Sequence, residues 1–271
     1  MTLTAIDRMS ERIEREAIRS LVACSSGTVR SVLGLEASEV ADGILLAADR
    51  DPSILLNRCV GLGSEHPPDP DAIERVAAIY ARRGIGRYYL QLDQVELSAG
   101  SRGALASSGL VPARAWMKFR RGTGTPPPSR TDLRVELVSG AGADDFARVA
   151  CAAFELSDAA VPLLAGLAAD DRWSLFASYD GDEPAGAGAL FVDGDAAWLD
   201  WAGTRPEFRR RGSQGALMAA RIERALRLGA RHLFTETGEA VEGDPQHSYR
   251  NILRAGFLEA HLRANYAPIA T

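Results

Sequence analysis

The sequence predicts a mixed α/β chain: a mostly antiparallel sheet flanked by helices, with that arrangement used twice. Three observations point to it. Short apolar runs separated by Asp-Gly turns cluster in the second half. A strongly periodic helix stopped by glycine follows them. Similar helix–Gly–strand junctions stand on both sides of a proline-rich break.

The break is Gly122–Arg130, GTGTPPPSR, in which three consecutive prolines stop helix and strand alike. It divides the 271 residues into residues 1–124, a linker at 125–130, and residues 131–271. Gly229 follows Arg227-Leu as Gly84 follows Arg82-Arg. Gly256 ends Ile252-Leu-Arg-Ala much as Gly109 ends Ala104-Leu-Ala-Ser-Ser. The near-equal offsets suggest a duplicated unit, although glycine after a helix is common in any α/β chain.

Composition limits the function classes. Hydrophobic residues make up 46% and charged residues 25%, a globular balance. No apolar run approaches the ~18 residues of a membrane span. Met1–Ser26 alternates Arg and Glu with apolar residues and reads as an amphipathic helix, not a secretory signal. The net charge of −5 argues against a nucleic-acid partner and leans towards a cationic acceptor. Cys24, Cys59 and Cys151 are odd in number and far apart, which suits a reducing cytoplasm and neither disulfides nor zinc. Dinucleotide fingerprint, Walker loop and HExxH are absent, and no metal site is expected.

In the second half, Leu133–Val138 reads as a strand and Asp144–Phe154 as a helix capped by Asp144. A further helical stretch spans Asp158–Ala168. Strands Trp173–Tyr179, Ala185–Val192 and Ala196–Ala202 form a meander through Asp180-Gly181 and Asp193-Gly194. Helix Ser213–Leu228, strand Arg231–Thr237, helix Ser248–Ala255 and strand Glu259–Ala267 complete the order.

The chemistry concentrates in Ala197–Arg221, AWLDWAGTRPEFRRRGSQGALMAAR. A strand ends near Gly203, the chain turns through Thr204-Arg-Pro-Glu-Phe, and Arg209-Arg210-Arg211-Gly212-Ser213 opens a helix. Unpaired N–H groups, the positive end of the helix dipole, a glycine and three arginines together make a seat for a pyrophosphate. The alternative for the arginines is a solvated basic loop. Arg221, Arg224 and Arg227 read as a solvated stripe on that helix.

This segment resembles the acetyl-CoA-binding motif of the GCN5-related N-acetyltransferases (GNAT): a Gln or Arg, two residues, a Gly, one residue, then a Gly or Ala. Arg209 and Gly212 match; Gln214 departs, with Gly215 directly after it. The resemblance covers about residues 131–271. The tandem layout is similar to a bacterial group with a weaker acetyltransferase-like half in front. It implies tandem GNAT-like domains, acetyl-CoA as co-substrate, and transfer of acetyl to the primary amine of a small molecule or an amino terminus. It also implies that Arg209, Arg210, Arg211, Gly212, Ser213, Gln214 and Gly215 cradle the pyrophosphate. Ala202, Gly203 and Thr204 would pair with the pantetheine arm, where the fourth and fifth strands splay.

Such transfer needs a base for the amine. By similarity to ribosomal-protein acetyltransferases, Glu236 is the leading base; its alternative is a carboxylate paired with a neighbouring arginine. Asp200 comes second. Many relatives place a tyrosine proton donor where this chain has Ile252, so Tyr249, one turn earlier, and Tyr266 are the candidates. Ser248 and Asn251 are candidates to touch the cofactor arm; His232 and His247 read as structural. In the first half, strand Ser53–Gly61 leads into Leu62-Gly-Ser-Glu-His-Pro-Pro-Asp-Pro-Asp and helix Asp71–Arg83. The acids there would repel a pyrophosphate, so this half is expected to keep the fold, to lack a cofactor site, and to shape the acceptor pocket or cover a sheet edge. The rivals are a non-catalytic acyl-CoA-binding or interaction protein, and a longer acyl donor. The acceptor, and monomer against homodimer, stay open.

Overall fold

The structure is a computed structural model that describes residues 3–93 and 97–269. Met1 and Thr2, at the start of the expected first helix, lie outside the described residues. The first half contains α1 (Ala5–Cys24), α2 (Gly27–Leu33), β1 (Leu35–Val40), β2 (Gly43–Ala48), β3 (Arg58–Leu62), α3 (Pro70–Arg82), β4 (Tyr89–Leu92), α4 (Ala99–Ser107) and β5 (Leu110–Arg121). The second half contains β6 (Arg134–Val138), α5 (Ala141–Ala153), α6 (Val161–Ala165), β7 (Trp173–Asp180), β8 (Glu183–Asp193), β9 (Ala196–Thr204), α7 (Ser213–Arg227), β10 (His232–Gly238), α8 (His247–Arg254) and β11 (Leu258–Pro268).

The order of elements in the second half is the expected one, and three local readings are corrected. Helix α5 begins at Ala141 behind Gly140, so Asp144 sits inside the first turn and does not cap it. The stretch 158–168 is not one helix: α6 is five residues long, with a 3-10 turn on each side. In the first half the strand starts at Arg58, because residues 53–57 form a turn. The Asn57 side chain fixes that turn by donating to the carbonyls of Asp51 (2.7 Å) and Ser53 (3.1 Å).

The duplication is visible in the topology. The series β1-β2-β3-α3-β4-α4-β5 has the same order as β7-β8-β9-α7-β10-α8-β11, and in both series the third and fourth strands pair in parallel. The paired glycines share a left-handed backbone: Gly84 and Gly229 at φ +69° and +90°, Gly109 and Gly256 at +67° and +83°.

The linker divides the chain in sequence but not in space. One eleven-stranded sheet runs in the order β1-β2-β3-β4-β11-β5-β10-β9-β8-β7-β6. Strand β5, made by the first half, lies antiparallel to β10 of the second. Strand β11, made by the second half, lies antiparallel to β4 of the first. The final strands have therefore changed places, and they pair with each other along the seam. One apolar core also spans both halves, with Ile13, Ile18, Leu33 and Ile44 sharing a cluster with Phe146, Leu164, Trp173 and Phe191.

Helix α1 is where periodicity misleads most. Thr4 and Asp7 close its start with reciprocal hydrogen bonds. Asp7, Glu11 and Glu14 follow each other at spacings of four and three, so they share one face, and that face is buried. On an amphipathic helix such a charged face ordinarily meets water, but here it faces the sheet at the seam.

Candidate active site

Strands β9 and β10 are hydrogen-bonded neighbours only where Ala196–Trp198 lies beside His232–Phe234. Past that point they part, with the Thr235 hydroxyl still donating to the Leu199 carbonyl at 2.9 Å. The cause is local. The register with β8 slips between Ala189–Asp200 and Ala187–Gly203, and Trp201 takes φ +47°. A tryptophan held there stores strain of about 1–3 kcal/mol, which its surroundings must offset. Trp201 donates its N–H to Asp200 Oδ1 at 2.8 Å and packs edge-on against Phe154, ring centroids 5.6 Å apart.

The parted strands open a cavity of about 370 Å³. Leu199, Asp200, Trp201 and Ala202 line it from β9, Thr235–Gly238 from β10, Gln214 and Met218 from α7, and Ser248, Asn251 and Ile252 from α8. The first half closes the opposite side with Ser53–Leu55, Arg58, Arg87 and Trp116. Sequence reasoning named none of these first-half residues as site residues. The strand exchange brings Trp116 to the cavity on β5, and nothing in the local sequence signals it.

Helix α7 starts beside this cavity. No side chain caps it, and among the described residues nothing accepts from the N–H of Ser213, Gln214 or Gly215. Ala216 makes the first intrahelical bond, to Gly212 at 3.1 Å. Gln214 donates to the Thr204 hydroxyl at 2.8 Å, which ties the helix start to the end of β9. Arg209 and Arg210 are exposed.

Two readings of this loop are corrected. Arg211 does not face a ligand: it is paired with Asp132 at 2.5 Å and Asp180 at 2.6 Å. Gly212 is required by its φ of +84° and by the Arg130 carbonyl, which would lie 2.0 Å from an added Cβ. Its missing side chain therefore makes room for the linker, not for a ligand. Gly203 is likewise set by packing, since a Cβ there would meet that of Ala153 at 2.2 Å. Arg221 leaves the expected solvated stripe. It is 1% exposed and donates to the carbonyls of Leu217, Ala189 and Asp200, with Gly188 leaving the space for it. Burial lowers its pKa to about 10.

The two candidate bases both line the cavity in different environments. Glu236 Oε1 faces Arg58 at 3.2 Å, and its Oε2 meets Arg263 and, at 3.3 Å, Lys118. Burial raises its pKa, and Arg263, Lys118 and Arg58 oppose the rise. To take a proton it would have to give up an ion pair. Asp200 enters no ion pair among the described residues, and burial raises its pKa above the usual carboxylate range.

Both tyrosines are away from the reaction space. The Tyr249 hydroxyl donates to Glu259 at 2.6 Å, and its ring packs edge-on against Phe119. Tyr266 sits opposite Leu90 and Pro112, because β11 has crossed to the first half's sheet. Neither lines the cavity.

Behind Glu236 lies a buried charge cluster at the seam. Glu11, Glu14 and Glu236 face Arg58, Lys118 and Arg263, three carboxylates against three cations. The Lys118 Nζ also lies 4.2 Å from the Trp198 ring, at the point where the strands part. The cations pull Glu14 down to about 2 against its burial. Losing one member of such a cluster costs about 3–5 kcal/mol, since it leaves a buried charge unpaired. Glu11, Asp93 and His261 bring possible ligand atoms within 4.8 Å of one another. Arg263 and Lys118 already hold the Glu11 carboxylate, so a metal ion there would meet two fixed positive charges. Among the described residues, no helix is long and apolar enough to cross a membrane.

Residues 152–239 match the family model for the acetyltransferase (GNAT) domain. No curated protein matches the chain. A GCN5-related N-acetyltransferase from Kribbella flavida superposes with a TM-score of 0.64 at 16% identity, over 97% of this chain and 96% of that one. One from Sphaerobacter thermophilus gives 0.58 at 16%, over 100% and 96%. A tandem GNAT protein from the clavulanic acid biosynthesis pathway gives 0.52 at 15%, over 83% and 77%. The parted strands, the open helix start and the repeated topology thus belong to a tandem GNAT fold, with the match to the GNAT domain model confined to residues 152–239 of the second half.

Proposed function

We propose that the chain is an acetyl-CoA-dependent N-acetyltransferase that moves acetyl directly to a primary amine, on a small molecule or an amino terminus. One observation carries this reading: the uncapped start of α7 opens beside the cavity between parted β9 and β10. Three free N–H groups at a helix start favour a pyrophosphate, with Arg209 and Arg210 adding charge. The unpaired edge of β9 at Ala202–Thr204 offers backbone groups to the pantetheine amides. Ser248 and Asn251 flank that path from α8.

The co-substrate supplies an acetyl thioester. The amine nitrogen attacks its carbonyl carbon, the C–N bond forms, the C–S bond breaks, and the ammonium proton passes to a base. We assign that base to Asp200, which is half-buried, lines the cavity and has no ion-pair partner among the described residues; Glu236 then serves to hold Arg58. A thiolate is a far better leaving group than an alkoxide, so in this reading it departs without a dedicated tyrosine and takes its proton from water. The second unit contains the whole cradle, and the first acts as the opposite wall without a cofactor site of its own.

Among the described residues no tyrosine lines the cavity, which favours a second reading, a non-catalytic acyl-CoA-binding protein. Calorimetry with acetyl-CoA and thiol release with a panel of primary amines separate the two. Binding with amine-dependent release of CoA is expected; binding without release would favour the second reading.

A further inference from the structure

The two walls of the cavity carry different chemistry. The second half presents three carboxylates, Glu155, Asp200 and Glu236, the last already held by cations. The first half presents Arg58, Arg87 and Trp116. Arg87, on the loop between α3 and β4, is exposed and has no hydrogen bond or ion pair among the described residues. Arg58 is 4% exposed; its Nη1 lies 3.2 Å from both Glu14 and Glu236, yet its buried Nε has no hydrogen-bond partner. A guanidinium has five donors, and buried donors are nearly always paired. The Arg58 guanidinium carbon also lies over the Trp116 ring, 5.4 Å from its centroid. Arg221 plays no part here, because its guanidinium is turned onto backbone carbonyls.

We propose that the acceptor is a short amine that also carries a carboxylate, and that Arg58 and Arg87 of the first half hold that carboxylate while the amine points to Asp200. The inference rests on the acetyltransferase reading above. A planar guanidinium matches a carboxylate through paired charge-assisted hydrogen bonds. A cavity of about 370 Å³, part of which the acetyl-bearing arm would fill, suits an acceptor of about amino-acid size. This reverses the preference for a cationic acceptor that the whole-chain charge suggests, because the local wall and not the net charge meets the substrate.

The test uses the full chain loaded with CoA, and calorimetry with glycine, β-alanine and 4-aminobutyrate, each against its primary amide. At least one acid is expected to bind tenfold or more tightly than its amide. Arg87→Ala should cut that preference to under about threefold, and Arg87→Lys should restore part of it. Arg87 is exposed, so these variants do not threaten the fold. If no acid outbinds its amide, or if the preference survives Arg87→Ala, the proposal fails. Thiol release with acetyl-CoA is followed in parallel. Acid-selective binding without release leaves the subsite standing and removes the acetyltransferase reading. Equal release from acids and amides does the opposite.

Discussion

The loop between β9 and α7 and the loop between β3 and α3 hold equivalent places in the two halves, and they treat their backbone donors in opposite ways. At α7 the first N–H groups are left open and arginines stand around them. At α3 the Asp69 side chain caps the helix, Pro70 removes one donor, and Asp71 adds negative charge. The preceding loop donates the N–H groups of Gly63 (3.0 Å), Glu65 (2.8 Å) and His66 (3.3 Å) to the Asp42 carboxylate. The first half thus supplies an internal anion where the second leaves room for an external one. The strands differ in the same sense: β3 stays with β4 as far as Leu62 and Leu92, while β9 leaves β10 after Trp198. A duplicated unit can lose a binding site by satisfying its donors internally while its topology stays intact.

The largest expected effect comes from separating the halves. Expressed alone, residues 1–124 and 131–271 should each fail to fold, because each lacks the strand that the other provides; together they should reassemble. Circular dichroism and gel filtration read this, and two independently folded halves would contradict the strand exchange. Next, Asp200→Asn should lower kcat by about 10²–10⁴, the usual contribution of a general base, and Glu236→Gln by less. Burial raises the Asp200 pKa, so kcat/KM should fall as pH drops through a value above the usual Asp range, and this limb should vanish in Asp200→Asn. A larger loss in Glu236→Gln with folding intact would return the base role to Glu236.

The cradle comes third. Reversing both Arg209 and Arg210 to Glu should weaken acetyl-CoA binding about thirtyfold or more by calorimetry, since hydrogen bonds to charged groups contribute about 1.5–3 kcal/mol each. The stoichiometry should be one per chain before and after any change at Asp42. The smallest effect is expected for Asp42→Ala, a loss of about 1–2 kcal/mol in denaturant unfolding as three N–H groups lose their acceptor. A second bound acetyl-CoA in that variant would mean that the first half keeps a usable cradle.

The meander and the α7 start were legible because each depends on local chemistry: Asp-Gly turns, an arginine-glycine loop, and a helix stopped by glycine; the parted strands followed only from the resemblance. Local chemistry made the duplication legible as well. What escaped depends on contacts between distant segments. Glu11 and Glu14 look solvated in sequence because their cations arrive on β5 and β11. Tyr249 looks poised by helical counting and Tyr266 by its place in the last strand, but Glu259 claims the Tyr249 hydroxyl and the crossing of β11 sets Tyr266 between strands of the first half. Gly212 carries the motif, yet its Cβ position answers to the Arg130 carbonyl. Arg58 and Arg87 have no motif at all, and only the exchange of strands makes them cavity residues.

The strand exchange also sets an order of events during synthesis. Arg121 must wait for Leu233, and Leu110 for Pro268, before β5 has both neighbours. The first half leaves the ribosome with a strand whose partners do not yet exist, so its edges stay open until β10 and β11 arrive. Pairings this distant in sequence are slow to form. Holding that edge apart from other chains is a cost of building one wall of the cavity from each half.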